Sequence, residues 1–258
     1  MARCTIHFSN FSSGYRVSFV HLHIVIIFIS PMRTVRLDHE RVVCGGYDDF
    51  GIREYGLYDR ELRQMYLGHR DAVNCIQFDH DRLVSCSADT TVRVWDMKTG
   101  QISGLLIDHT KPVNWIHYSG NVLFSCSKDR TIRLWDLRTY KQQAILGQEP
   151  TSKHTDDIMM LQYDRERRQM MSASMDGTVK VWDTRTGNVV STVNHPAGVR
   201  ALRFDADHLV TAAVDNIVRI YSMYSVDMDP PPLHSILETA RTHTIDMDGM
   251  FLVEIDIF

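Results

Sequence analysis

From Arg33 onward, apolar and polar positions alternate along the chain with a period of two, interrupted by short polar turns. That period belongs to strands, whose successive side chains point to opposite faces of a sheet, and no stretch keeps the 3.6-residue period of a helix. The clearest segment predicts four strands in order: Ala72–Phe78, Leu83–Ser87, Val92–Trp95 and Gln101–Ile107. Asp79-His80-Asp81-Arg82, Asp89-Thr90 and Lys98-Thr99-Gly100 separate them, each rich in turn formers.

The segment recurs. Asp89, followed by Thr-Thr-Val-Arg-Val-Trp95-Asp96, has counterparts in Asp129 (Trp135-Asp136), Asp176 (Trp182-Asp183) and Asp215 (Tyr221-Ser222), with a weaker copy upstream at Asp49 (Tyr55). These aspartates follow one another at 40, 40, 47 and 39 residues, a fixed period that marks a repeat array. Four short antiparallel strands per unit cannot bury both sheet faces alone, so the units must stack face to face around an axis. The fold class predicted is all-β: a β-propeller with five recognisable four-stranded blades and a partial sixth. The longer interval places its extra residues in Gly147–Lys153 and in the turn Asp164–Gln169, both loops.

The ends depart from the repeat. Val17–Ile29 is an apolar run broken by His21 and His23, too short for the ~20 residues that span a bilayer, so residues 1–31 read as a leader or closing segment. Residues 32–224 hold the blades, 225–232 a Pro-rich connection and 233–258 an incomplete further blade. A net charge of −4 disfavours nucleic acid as the main partner, which would call for a strongly basic face, and no membrane partner is expected. Five cysteines without a Cys-x-x-Cys, two of them at one repeat position (Cys86, Cys126), read as buried thiols of a cytosolic or nuclear protein.

Chemistry-bearing residues recur with the units. Four residues before each aspartate stands a hydroxyl (Ser85, Ser125, Ser172, Thr211) and six after it an aromatic ring (Trp95, Trp135, Trp182, Tyr221). About 20 residues before it lies a histidine (His69, His109, His154, His195). Ser, His and Asp could suggest a catalytic triad, but a catalytic group is needed once, not four times at one spacing, so these residues read as structural, with no catalytic residue, metal site or cofactor. Gly68-His69 and the Trp-Asp pairs 95–96, 135–136 and 182–183 resemble the WD-repeat (WD40) family over about residues 33–224 and partly over 233–258. The resemblance implies that each His, hydroxyl, Asp and indole N–H forms one hydrogen-bonded chain. The upstream copy, with Gly45 at the hydroxyl position, Tyr55 for Trp and no matching His, is expected to be the least stable complete blade.

The resemblance also implies a variable face where interblade loops and second turns converge. Two positions per unit are expected there: Arg36 and Asp48, Asn74 and Ala88, Asn114 and Lys128, Met159 and Met175, Arg200 and Val214, with Lys111 and Lys153 in adjacent loops. Cations beside flexible methionines suit an acidic or phosphorylated peptide with an apolar anchor, while ordinary solvated residues would look the same. The leading expectation is a non-enzymatic interaction scaffold or substrate-recognition module. The turns Phe78–Ser85 and Phe204–Thr211 resemble F-box/WD-repeat substrate receptors of ubiquitin ligases, a second expectation for which this chain carries no F-box segment. A catalytic propeller is the third, and no single-copy nucleophile–base pair supports it.

Overall fold

The structure is a computed structural model that describes residues 2–6, 24–28, 32–147, 149, 152–223, 233–238, 247–248 and 251–252. Five antiparallel four-stranded sheets follow one another, each made of strands consecutive in the chain. Blade one holds Met32–Leu37, Arg41–Gly46, Ile52–Gly56 and Leu62–Tyr66. Blade two holds Val73–Phe78, Arg82–Ser87, Val92–Asp96 and Ile102–Leu106, within a residue or two of the sequence expectation at each end. Val113–Ser119, Val122–Ser127, Ile132–Asp136 and Lys141–Leu146 form blade three. Blade four is Ile158–Asp164, Gln169–Ser174, Thr178–Asp183 and Asn188–Asn194, and blade five Val199–Phe204, His208–Ala213, Ile217–Ser222 and Leu233–Glu238.

The first strands of successive blades pack side by side around the axis. Every second strand is buried over its last five residues, whereas the fourth strands of blades one to four are largely open to solvent. The core therefore lies between blades: Val84, Val94 and Cys75 of blade two meet Ile116, Leu123 and Trp135 of blade three, and Phe124 and Ile132 of blade three meet Leu161 and Trp182 of blade four. Burial of these apolar faces, at roughly 25 cal/mol per Å² removed from water, holds neighbouring blades together.

Three expectations are corrected. Leu233–Glu238 pairs with Ile217–Ser222, Tyr221 opposite Leu233, so it closes blade five instead of opening a further blade at 233. A four-stranded sheet needs this strand to cover its third, and the repeat period already requires a fourth strand before any new unit. Ala2–Ile6 and Ile24–Phe28 pair with each other as a separate two-stranded sheet, not with a blade. The Pro-rich connection 225–232 lies outside the described residues, and of the segment after Glu238 only Met247–Asp248 and Phe251–Leu252 are described, as a two-stranded pair.

The third correction concerns register in blade one. Each first strand carries a β-bulge after its first residue, between Val73 and Cys75, Val113 and Trp115, Ile158 and Met160, Val199 and Ala201, and Met32 and Thr34. The bulged residues are thus Asn74, Asn114, Met159, Arg200 and Arg33. Arg36, opposite Val43, instead shares the level of Gln77, His117, Gln162 and Arg203, toward the other end of the propeller axis. On the second strand, Cys44 opposite Arg53 occupies the position of Ser85 opposite Arg93, so the hydroxyl position belongs to Cys44 and not Gly45. The cause is a longer turn: Gly46 N–H donates to Gly51 O, where Ser87 N–H donates to Thr91 O.

Candidate partner-binding face and the buried network behind it

In blades two, three and four the repeated residues form one hydrogen-bond chain. Trp95 Nε1 donates to Ser85 Oγ at 2.8 Å, Ser85 Oγ donates to His69 Nε2 at 2.8 Å, and His69 Nδ1 donates to Asp89 Oδ2 at 2.8 Å. The chain Trp135–Ser125–His109–Asp129 repeats it at 2.8, 2.7 and 2.7 Å, and Trp182–Ser172–His154–Asp176 at 2.8 Å throughout. The Ser–His–Asp connectivity equals that of a hydrolytic triad. However, each of these serines is 0% exposed and already accepts an indole N–H, so no substrate reaches the hydroxyl.

In the chains of blades two and three, a neutral imidazole accepts at Nε2 while donating at Nδ1, which leaves the serine proton a partner. Burial pushes His69 and His109 below the ordinary histidine range, opposed by Asp89 and Asp129. Burial alone would raise Asp89, Asp129 and Asp176; the histidine and threonine hydrogen bonds and the backbone N–H of Arg70, Thr110 and Thr155 hold them well below the usual carboxylate range.

Sequence reasoning missed two members of this network. Thr91, Thr131 and Thr178 donate to the second carboxylate oxygen at 2.7, 2.6 and 2.7 Å. Ser87, Ser127 and Ser174 link the turn to the preceding loop, donating to Asp71 O, Lys111 O and Asp156 O while accepting the aspartate N–H. The signal was present as Ser-x-Ser-x-Asp-x-Thr, spelled three times. In blade five only part of the chain forms. His195 Nε2 meets Thr211 Oγ1 at 2.8 Å and Tyr221 Oη at 3.3 Å, but its buried Nδ1 does not reach Asp215 and has no hydrogen-bond partner of good geometry among the described residues, while Asp215 pairs with Arg219 at 2.6 Å.

The expected face divides on inspection. Asn74 and Asn114 direct their amide N–H to the next blade, to Val113 O at 2.7 Å and Ile158 O at 2.8 Å, so they join blades. Arg36 lies elsewhere on the axis, as its register requires, and the bulge position it was expected to fill belongs to Arg33, which is exposed and stands 5.5 Å from the Tyr47 ring centroid. Lys111, Lys128, Lys153, Arg200 and Val214 are exposed, as is Asp48, while Ala88, Met159 and Met175 are half-buried. Blades three to five bring several together: Lys128 Nζ lies 3.8 Å from Asp157 Oδ2, Arg130 Nη1 donates to Thr155 O, and Met159 Sδ sits 3.8 Å from Asn114 Nδ2. Met175 packs on Gly198, two residues from Arg200. The loops of blades three to five thus carry exposed cations at Lys111, Lys128, Lys153 and Arg200 and half-buried thioethers at Met159 and Met175.

Three stretches, residues 60–96, 100–136 and 148–183, match the family model described as WD domain, G-beta repeat. A 52-residue stretch is 44% identical to a WD repeat-containing protein 89 homolog of Dictyostelium discoideum, covering 18% of this chain and 14% of that protein. A 54-residue stretch is 37% identical to a probable E3 ubiquitin ligase complex SCF subunit sconB of Talaromyces marneffei, covering 21% of this chain and 8% of that protein. The matches thus span a small fraction of these relatives. Among solved structures, the WD40 β-propeller domain of Doa1 aligns with TM-score 0.74 at 23% identity, over 87% of this chain and 75% of that one. The computationally designed Ika8 protein aligns with TM-score 0.71 at 24% identity, over 87% and 71%.

Proposed function

We propose that this chain, which belongs to the WD40-repeat family of β-propellers, is a non-enzymatic interaction scaffold or substrate-recognition module that binds peptide segments of partner proteins at its loop face. The family's propeller is in general a non-catalytic interaction fold. The observation that carries the reading is the contrast between buried and exposed repeat positions. His, Ser and Trp are repeated in three blades and buried, while neighbouring loop positions differ from blade to blade and reach the surface: exposed Lys128 and Val214 and half-buried Met175 at one position, half-buried Met159 and exposed Arg200 at another. Lys111, Lys128, Lys153 and Arg200 around Met159 and Met175 support an acidic or phosphorylated peptide with an apolar anchor, charge recognising charge and the thioether adapting to the side chain. The buried free thiols of Cys44, Cys75, Cys86 and Cys126 support work in the reducing cytosol or nucleus.

Peptide-array binding tests the face. Lys128→Glu with Arg200→Glu is expected to abolish capture of acidic and phosphorylated peptides while leaving the melting temperature unchanged; unaltered capture would place the binding surface elsewhere. A second reading, a substrate receptor of a ubiquitin ligase, is favoured by the similarity to SCF subunit sconB. A helical F-box encoded upstream in the full transcript would support it.

A further inference from the structure

The end of the axis opposite the loop face holds a second set of cations. A cavity of ≈ 560 Å³ opens there, lined by residues of blades one, two, three and five. At one level of the first strands stand Arg36, Gln77, His117, Gln162 and Arg203, one from each blade. The two glutamines serve blade cohesion: Gln77 Oε1 accepts Tyr118 N–H, and Gln162 bonds both Phe204 N and Phe204 O, each at 2.9 Å. The other members, from blades one, three and five, are Arg36, whose Nε also donates to Ile76 O of blade two at 3.4 Å, His117 and Arg203, and all three line the cavity.

Above this level Trp115 fills the axis against Met160, Ala201 and Val210, and the Arg36 guanidinium stands 5.6 Å from its ring centroid. The lining carboxylates, Asp38 and Asp79, belong to the first turns at the rim, with Asp38 held by Arg41 at 3.0 Å and Asp79 3.8 Å from Arg82. His39, Arg41, His80 and Tyr118 are the other charged or titratable residues among the described lining. The inner level therefore presents two guanidiniums and an imidazole. Burial and the charges of Arg203 and Arg36 lower His117 to about 4, a repulsion that a bound anion would relieve.

We propose that this cavity binds a phosphorylated small molecule, with Arg36 and Arg203 as the phosphate contacts and His117 as an additional donor. Guanidinium forks match phosphate oxygens bidentately. The volume lies within the ~300–1,000 Å³ of small-molecule sites, which suits a compact ligand entering whole. This site is independent of the loop face and stands or falls separately from the peptide-binding reading.

Inorganic pyrophosphate is the probe, titrated into the full chain by calorimetry at low salt. Saturable binding is expected, weakened at least about tenfold by Arg36→Gln with Arg203→Gln and unchanged by Arg200→Gln on the loop face. Absence of binding at millimolar pyrophosphate, equal affinity of the double variant, or binding of a polyglutamate peptide in preference to pyrophosphate overturns the proposal. Should the double variant unfold, the His117 imidazole followed by NMR in the native chain decides: pyrophosphate is expected to move its titration upward, and an unmoved titration at saturating probe counts against the site.

Discussion

The residue two places after the repeat aspartate decides which way the carboxylate turns. Where Thr91, Thr131 and Thr178 stand, the hydroxyl anchors one carboxylate oxygen and the other meets the histidine. Blade one has Gly51 there and blade five Ile217, and in both the aspartate turns instead to the arginine four residues on, Arg53 or Arg219. Basic residues at that arginine position also occur in the other blades, as Arg93, Arg133 and Lys180, so the arginine alone does not set the choice. Ile217→Thr is therefore expected to bring Asp215 to the buried Nδ1 of His195 and to stabilise the protein by ~1 kcal/mol, the net worth of one such bond. A calorimetric melting temperature that falls or stays level argues against it. In an intact chain, Trp135→Phe removes the donor to Ser125 and leaves a void, with an expected loss of about 1–3 kcal/mol. Lys98→Ala, which breaks an exposed, solvent-screened ion pair with Asp81, is expected to leave the midpoint of the same urea titration essentially unchanged.

Blades are joined unequally. Between two and three run the Asn74 and Gln77 bonds and the Arg82 contacts to Asn121 Oδ1 and Gly120 O, both at 3.1 Å; between four and five run the Gln162 pair and Arg167 to Asp205 O and Ala206 O. From blade one to blade two run longer bonds, Arg36 Nε to Ile76 O at 3.4 Å and Arg41 Nη1 to Met97 Sδ at 3.8 Å. Its internal network is different too, resting on Tyr66 Oη donating to Glu54 Oε2 at 2.7 Å. Amide exchange is expected to run faster in Val42–Cys44 than in Leu83–Cys86 or Leu123–Cys126; equal protection would contradict the ranking. Strand limits in blade two were legible because alternation, turn residues and the burial demand agree there. The first blade was misread by one residue on its second strand and by three on its first. Its lengthened turn and missing hydroxyl remove the markers that would show the register, and a register slip leaves composition unchanged. Repetition alone showed that His69, Ser85, Asp89 and Trp95 recur as one unit; their linkage into a hydrogen-bonded chain was implied by the resemblance to WD-repeat propellers. The roles of Asn74 and Asn114 were not, since their partners are backbone carbonyls some 40 residues away, invisible to spacing.

Across the whole molecule, buried imidazoles set the response to acid. His195 is lowered to about 4 by burial and by Arg219, as His117 is by burial, Arg203 and Arg36; His69 and His109 are lowered too. An unfolded histidine takes up its proton near 6.5, so below that pH the unfolded chain binds protons that the folded chain refuses. Stability from these groups is complete above about pH 6.5 and is lost as pH falls toward 4, at up to about 1.4 kcal/mol per pH unit for each imidazole. The depressed carboxylates of Asp89, Asp129 and Asp176 act later: they are still ionised in the folded state when unfolded aspartates protonate, so their stabilisation fades only below about pH 3.9. Urea midpoints measured from pH 8 to pH 3 are expected to be level at first, to decline from about pH 6.5, and to keep falling below pH 4. His195→Gln keeps a donor–acceptor side chain without a titrating proton and is expected to flatten the decline between pH 6.5 and 4 while leaving the lower stage in place. A midpoint that stays level from pH 7 to pH 5 in the native chain would mean that these imidazoles are as free to protonate folded as unfolded, which their burial between blades does not allow.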